Sequence, residues 1–294
     1  MSNQRNLSRP LITFTPALIL TVFALLTVYS CSDKEDYRFD TTYNKNTTQE
    51  FLNSDALFVD FFRLAYKASM DTSLLNNANS LIDSARVTMA DSAHVVFSYG
   101  NSMKCPDGTV RSGQILLEWN SPLTDSAARI TMQPQNLIIN GKTITGNIVI
   151  RRTLLGYRPA FTYQISEGII ALNDTFQKQI HYACNYLFEF RKGSETPYTL
   201  LDDVFKISGN AQGKGTQYDR FTYQTTDTLT LKMTCRYLRG GKAEMVMPDF
   251  EINTADIDYL KAEECSAIVN VEFWGVTPNG AKKRSESTKL TISI

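Results

Sequence analysis

Two histidines, His94 and His181, are the whole imidazole complement of this 294-residue chain, and its five cysteines contain no Cys-x-x-Cys pair. The spacing that transition metals require is missing, so neither a metal nor another cofactor is expected. The chain also lacks an excess of either charge, with 30 Lys and Arg against 30 Asp and Glu. A nucleic-acid partner calls for a basic excess or stripe, and none is expected. Walker and dinucleotide glycine patterns are absent; Gly209-Asn-Ala-Gln-Gly213-Lys-Gly215 reads as a loop at a strand end. Ser112, Ser208 and Ser266 lack the Gly-x-Ser-x-Gly elbow. No catalytic residue emerges, and the expectation is a protein that is not an enzyme. What is present is apolar material: 43% hydrophobic and 11% aromatic residues, enough for a real core.

The N-terminus carries an address. Residues 1–10 hold Arg5 and Arg9 and no acid, residues 11–28 are almost wholly apolar, and Val28-Tyr29-Ser30-Cys31 follows. A basic start, an apolar stretch and a small residue before the cut describe a secretory signal. With cysteine next, the segment resembles a bacterial lipoprotein signal. That resemblance implies cleavage before Cys31, a diacylglycerol on its thiol and acylation of the new amine. Each buried CH₂ contributes about 0.8 kcal/mol, so several chains anchor a domain where one would not. The competing reading is an uncleaved signal anchor. Asp33, Glu35 and Asp36 then form a short acidic cluster. It looks like the export tag of surface lipoproteins in Bacteroidetes-type bacteria; the plainer reading is a solvated linker. The expected location is the outer membrane, lipid-anchored and surface-exposed, with the periplasmic face as alternative. Without residues 1–30 the chain keeps 28 basic and 30 acidic residues, which offers anionic membranes no attraction.

Beyond Cys31 remain Cys105, Cys184, Cys235 and Cys265. An oxidising compartment permits disulfides. Cys184 lies within an apolar strand face and reads as a buried thiol. Cys235 and Cys265 border late strands and are the favoured bridge, with Cys105 as competing partner. A loop of about 30 residues closed this way stabilises by roughly 3–4 kcal/mol in the chain-entropy model.

Residues 31–47 read as an acidic polar tether. Residues 48–70 are helical in pattern: Phe51, Leu57, Phe58, Phe61, Phe62, Ala65 and Tyr66 recur at three- and four-residue spacing. The helical segment extends to 91, where Leu81-Ile82 adds a short turn. From 92 the period switches to two. In 176–190, Phe176, Lys178, Ile180, Tyr182, Cys184, Tyr186, Phe188 and Phe190 share one face. Phe161, Tyr163, Ile165 and Ile169 behave alike, as do Ile115, Leu117 and Trp119; Leu229, Leu231, Met233, Cys235 and Tyr237; Val269, Val271 and Phe273; and Leu290, Ile292 and Ile294. Turn chemistry separates them, at Pro106-Asp107-Gly108, Asn140-Gly141, Asn173-Asp174, Gly240-Gly241 and Pro278-Asn279-Gly280. About ten to twelve strands without intervening helices predict a mostly β protein. The expected architecture is an antiparallel meander forming a barrel-like or sandwich sheet, with one N-terminal helix packed on it. A membrane-spanning barrel is not expected, since the strands lack aromatic girdles at both ends.

Cys105-Pro106-Asp107-Gly108-Thr109 with Arg111-Ser112-Gly113, Ile139-Asn140-Gly141-Lys142, Thr196-Pro197 leading to Asp202-Asp203-Val204-Phe205, Ile207-Ser208-Gly209, Cys235-Arg236 and Cys265 together resemble an uncharacterised family of secreted Bacteroidetes-type lipoproteins. The resemblance spans about 92–294 and implies an all-β domain; it brings no activity. The chain departs from the pattern at Cys184 and in a longer Lys/Arg/Ser-rich turn at 278–287.

Individual residues point weakly to chemistry. Asp202-Asp203 offers oxygens to Ca²⁺ but lacks the alternating ligand spacing, and such pairs more often cap turns. His181 lies on a polar strand face without a partner for general-base work. Ser166-Glu167-Gly168 signals a bulge. The aromatics Tyr163, Tyr182, Tyr186, Phe188 and Phe190 line either a ligand cavity or a filled core. Two readings follow. The first is a binding or structural lipoprotein that holds a protein, glycan or lipid, including an acyl chain if the helix only partly fills the sheet. The alternative is a glycan-directed hydrolase using two of Glu118, Glu167, Glu189 and Asp202, which requires two carboxylates about 5–10 Å apart in one cleft.

Overall fold

The computed structural model describes residues 41–294 apart from 77, 194, 197–198 and 277–281. Cys31, the signal segment and most of the expected tether lie outside the described residues. The first element, α1, runs Thr42–Met70 and is 29 residues long. It begins six residues before the expected start. Its first turns carry polar side chains that composition assigns to a tether, yet the far end of the chain buries them. Asn44 donates to the Ile252 carbonyl, Thr47 to the Asp219 carboxylate, and Thr48 to the Met247 sulfur at 3.8 Å. A short helix, α2 (Thr72–Leu75), follows with Asp71 capping its N-terminus.

Among the described residues fifteen strands form one antiparallel sheet. They are β1 (Ser80–Ile82), β2 (Ala85–Met89), β3 (His94–Lys104), β4 (Val110–Trp119), β5 (Arg129–Ile139), β6 (Lys142–Leu155), β7 (Arg158–Ala171), β8 (Gln179–Lys192), β9 (Val204–Lys214), β10 (Arg220–Thr225), β11 (Leu229–Lys232), β12 (Lys242–Val246), β13 (Thr254–Asp258), β14 (Ile268–Val276) and β15 (Lys282–Thr291). Strand order follows chain order, except that β11 pairs with β9 beside the main path. The meander is as the alternation predicts, and β1 and β15 remain unpaired with each other, so the sheet is open. The count exceeds ten to twelve because β1, β2, β11, β12 and β13 have three to five residues each, too short to show a period.

The sheet curves around α1. The predicted stripe is buried, but so are Leu52, Val59, Arg63 and Leu64 on other sides of the helix. Phe62 packs on Phe161 and Tyr163 of β7, Phe188 of β8 and Phe205 of β9, with ring centroids 4.1–6.1 Å away. Phe51 meets Phe221 and Tyr223 of β10. Opposite, Arg111 of β4 is 2% exposed and places Nη2 2.7 Å from Asp60 of α1 and 2.6 Å from Asp107. The C-terminal residues clasp the helix: Gln49 donates to the Thr291 carbonyl and the Ser293 amide to Asn53. The aromatic face of β8 is therefore filled core, each fully buried ring contributing about 1.5–3 kcal/mol.

Local departures from the expected pattern have physical causes. Leu81-Ile82 belongs to β1, because Asp83 and Ser84 both adopt positive φ and close a two-residue hairpin. Strands thus begin at residue 80, before the expected 92. β8 starts at Gln179, not 176. The Leu172 amide donates to the Lys178 carbonyl and closes the turn there, leaving Phe176 80% exposed beneath the Lys178 ammonium. In β7 the bulge at Ser166-Glu167-Gly168 flips the parity, so Ile170 faces inward in place of Ile169. β15 occupies 282–287, residues expected as turn. Cys235 and Cys265 form a disulfide with Cα atoms 5.5 Å apart, and Cys105 and Cys184 are buried free thiols.

Candidate functional site

An aromatic-lined pocket opens at the C-terminal end of α1. Tyr66 and Met70 of α1, Pro159 and Phe161 of β7 and Phe190 of β8 form its walls, with Leu123 from the β4–β5 loop. Its room is about 160 Å³, enough for one ring and far below the volume of an acyl lipid. Alternation delivers these walls: Phe161 and Phe190 stand on the inner face, where the curve of the sheet runs past the helix end. Tyr66 crosses Phe161 at 75° and Phe190 at 65°, with centroids 6.2 and 6.4 Å away.

Two polar groups converge on this apolar wall. Asp203, 3% exposed, accepts a 2.9 Å hydrogen bond from Tyr66 Oη. Burial pushes its carboxyl above the usual range; the Tyr66 bond opposes the shift and neighbouring Asp202 adds to it. Arg152 of β6 donates from Nη1 to the Leu123 carbonyl at 3.3 Å, and its buried Nε has no partner among the described residues. Arg152 and Asp203 do not pair, so each keeps hydrogen-bonding capacity for a guest. Gly193 supports this arrangement. It sits at φ +101°, and a Cβ there would fall 1.7 Å from Asp203 Oδ1.

A second cleft of about 350 Å³ lies at the N-terminal end of α1, lined by Tyr43, Glu50, Asp174, Lys178, Thr216 and Asp219 among others. A Cβ on Gly215 would lie 2.7 Å from Glu50 Oε2 and 2.9 Å from Asp219 Oδ2, so the two oxygens are at most about 5.6 Å apart. Glu50 accepts from the Thr216 amide and hydroxyl, and Asp219 from Thr47. Burial raises the Glu50 carboxyl above its ordinary value; the Thr216 bonds work against this and the Asp219 charge adds to it. Between these ends, Asp55 of α1 is wholly buried, with Tyr182 and Tyr186 donating to Oδ1 at 2.6 and 2.7 Å. Burial pushes its carboxyl up to about 6, against the pull of both tyrosines.

Of the residues singled out by sequence, Asp203 reaches a pocket, while Asp202 instead accepts from Thr196. No group of three or more metal-ligating His, Cys, Asp or Glu occurs among the described residues. His181 and Glu167 line an open groove on the outer face of β7–β10. Glu189 is bound to Arg158 and Arg191, and Glu118 pairs in register with His94. Glu118, Glu167, Glu189 and Asp202 are therefore not brought together. Of the aromatic strand residues singled out, Phe161 and Phe190 line the pocket, and Tyr163, Tyr182, Tyr186 and Phe188 do not. Sequence reasoning missed Arg152 and the Glu50–Asp219 pair. The tight Gly213–Asp219 turn was the one visible signal for the pair, and no local pattern marks Arg152. No family model, curated protein or solved structure matches the chain.

Proposed function

We propose that this chain is a lipid-anchored extracytoplasmic binding protein, of the secreted Bacteroidetes-type lipoprotein kind, that takes one ring of a small ligand. The aromatic pocket, where Arg152 and Asp203 converge without pairing with each other, carries this reading. Apolar walls with a few placed polar groups suit recognition of a small molecule. A saccharide ring at a glycan end fits best: its C–H faces lie on Tyr66 and Phe190, and its hydroxyls donate to Asp203 and accept from Arg152. The anchor is Cys31, and the acidic residues after it favour the cell surface. The domain then needs no membrane-spanning helix of its own. Protease shaving of intact cells tests the location; complete protection would overturn surface exposure. Native mass spectrometry of the purified chain with a monosaccharide panel tests the ligand. A retained sugar mass that Asp203→Asn removes supports the proposal, and equal retention by both proteins overturns it.

A second reading is a glycan-directed hydrolase at the Glu50–Asp219 cleft. Its supporting observation is that Glu50 and Asp219 bring two carboxylates into one cleft, no more than about 5.6 Å apart, as a carboxylate-pair hydrolase requires. Both carboxylates already hold the 215–219 turn to α1, which favours the binding reading. Release of reducing sugar that Glu50→Gln abolishes would reverse that preference.

A further inference from the structure

Three arginines meet around the middle of α1, and they are not equally provided for. Arg111 has the carboxylates of Asp60 and Asp107 and the hydroxyl of Thr109. Arg236, the neighbour of the disulfide-bonded Cys235, donates from Nη1 to the Asp107 carbonyl at 2.5 Å. Its Nη2 stands 3.2 Å from Asp107 Oδ2 without hydrogen-bond alignment, and its Nε has no partner. Arg63 of α1, 5% exposed, has no hydrogen bond or ion pair among the described residues, and its Nε and Nη2 are fully buried. Another buried arginine is better provided for: Arg239 donates from Nε and Nη1 to the carbonyls of Glu264 and Ile268, and only its Nη2 lacks a partner among the described residues.

Charge makes the same point. Three guanidinium groups share two carboxylates here, while nearby Lys67 and Asp83 neutralise each other at 2.7 Å. Burial, deepened by the field of Arg236, pulls the Arg63 guanidinium down to about 10, although Asp60 and Asp83 oppose the shift. Burying a charge without a partner is costly, and native structures rarely leave one uncompensated.

We propose that Arg63 and Arg236 together bind a small tetrahedral oxyanion, free phosphate or sulfate. Planar guanidinium forks match such an anion through paired N–H donors, and the unused Nε and Nη2 of each residue supply them. The four donor atoms are closed to solvent, and the anion reaches them as the Arg236 side chain, 19% exposed, swings aside. The site stands apart from the aromatic pocket and does not depend on the ligand proposed there. It also gives one role to scattered motifs: the Cys105–Thr109 turn, Arg111 and Cys235-Arg236 converge on the same helical turn.

The test uses the full chain in detergent, in a buffer free of both anions. Thermal unfolding is followed as sodium phosphate or sodium sulfate is added, with sodium chloride at equal ionic strength as control. Tm is expected to rise with each tenfold of phosphate or sulfate and not with chloride. Arg63→Met and Arg236→Met should abolish the rise, and Arg152→Met in the aromatic pocket should keep it. Without added anion Arg63→Met should be at least as stable as the parent. Should Arg63→Met not fold, Arg63→Lys keeps the charge, loses the fork and should weaken the response about tenfold. An equal rise with chloride overturns the proposal. So does a full response in both arginine variants or in Arg63→Lys, or a response lost in Arg152→Met alone.

Discussion

The two ends of α1 are built from the same sheet and do opposite things with polarity. At the C-terminal end, rings make the walls, and Arg152 and Asp203 stand apart with capacity to spare. At the N-terminal end the polar groups outnumber the rings, and Glu50 and Asp219 are already committed to Thr216 and Thr47. A satisfied polar group fastens the fold; an unsatisfied one beside an apolar wall awaits a guest. Asp55, between them, shows a third condition, a carboxyl sealed in the core with two tyrosines as its only hydrogen-bond partners among the described residues.

The most severe way to break the contrast is to remove what both ends share. Phe62→Ala should destabilise by about 3–5 kcal/mol in denaturant unfolding, because Phe62 touches β7, β8 and β9 at once. Both ends should be lost together.

Asp55 supplies a pH signature of the sealed middle. Its folded pKa of about 6 lies above the ordinary 3.8, so the native state holds the proton more tightly than the unfolded chain. Its contribution is complete below pH 4, is lost as pH rises towards 6, and levels off above that. The wild type should lose about 3 kcal/mol over this window relative to Asp55→Asn. Parallel stability curves for the two proteins would contradict the sealed environment.

Two glycines separate the ends. Gly193→Ala combines a positive φ with a Cβ driven into Asp203, and should cost about 1–3 kcal/mol. Gly215→Ala meets flexible carboxylate ends at a φ that alanine accepts, and should cost less. Gly193→Ala should abolish sugar retention while Gly215→Ala spares it.

The smallest effect on stability is expected from Asp203→Asn, under about 1 kcal/mol, because asparagine still accepts from Tyr66. Its sugar affinity should fall roughly tenfold, the worth of about one hydrogen bond. Glu50→Gln, read by the same titration, should leave that affinity unchanged.

Much of the architecture was legible. Alternation from Ile115 to Ile294 marks which residues face the helix, and the turn signals at Asn140-Gly141 and Gly240-Gly241 fall between strands. The favoured Cys235–Cys265 bridge forms, and Cys105, its competitor on sequence grounds, stays a free thiol. Legibility failed wherever the period is too short or is broken. β1 and β2 fit too few residues, Glu167 shifts parity within β7, and the first helical turns look like a tether because their polar side chains find partners some 170–210 residues away. The site was less legible than the fold. Phe190 and Asp203 were visible, but nothing local distinguishes Arg152 from any other strand arginine.

By itself the sequence determined the meander and most of the inward-facing residues, because period and turn chemistry are properties of neighbours along the chain. Only the tertiary structure decided that the sheet wraps α1 rather than lying beneath it, that Asp203 faces a pocket while Asp55 is sealed, and that Arg63 is left without a partner among the described residues. Those outcomes depend on which distant donor or acceptor arrives at a buried group, and residues far apart in the chain carry no mutual pattern that announces it.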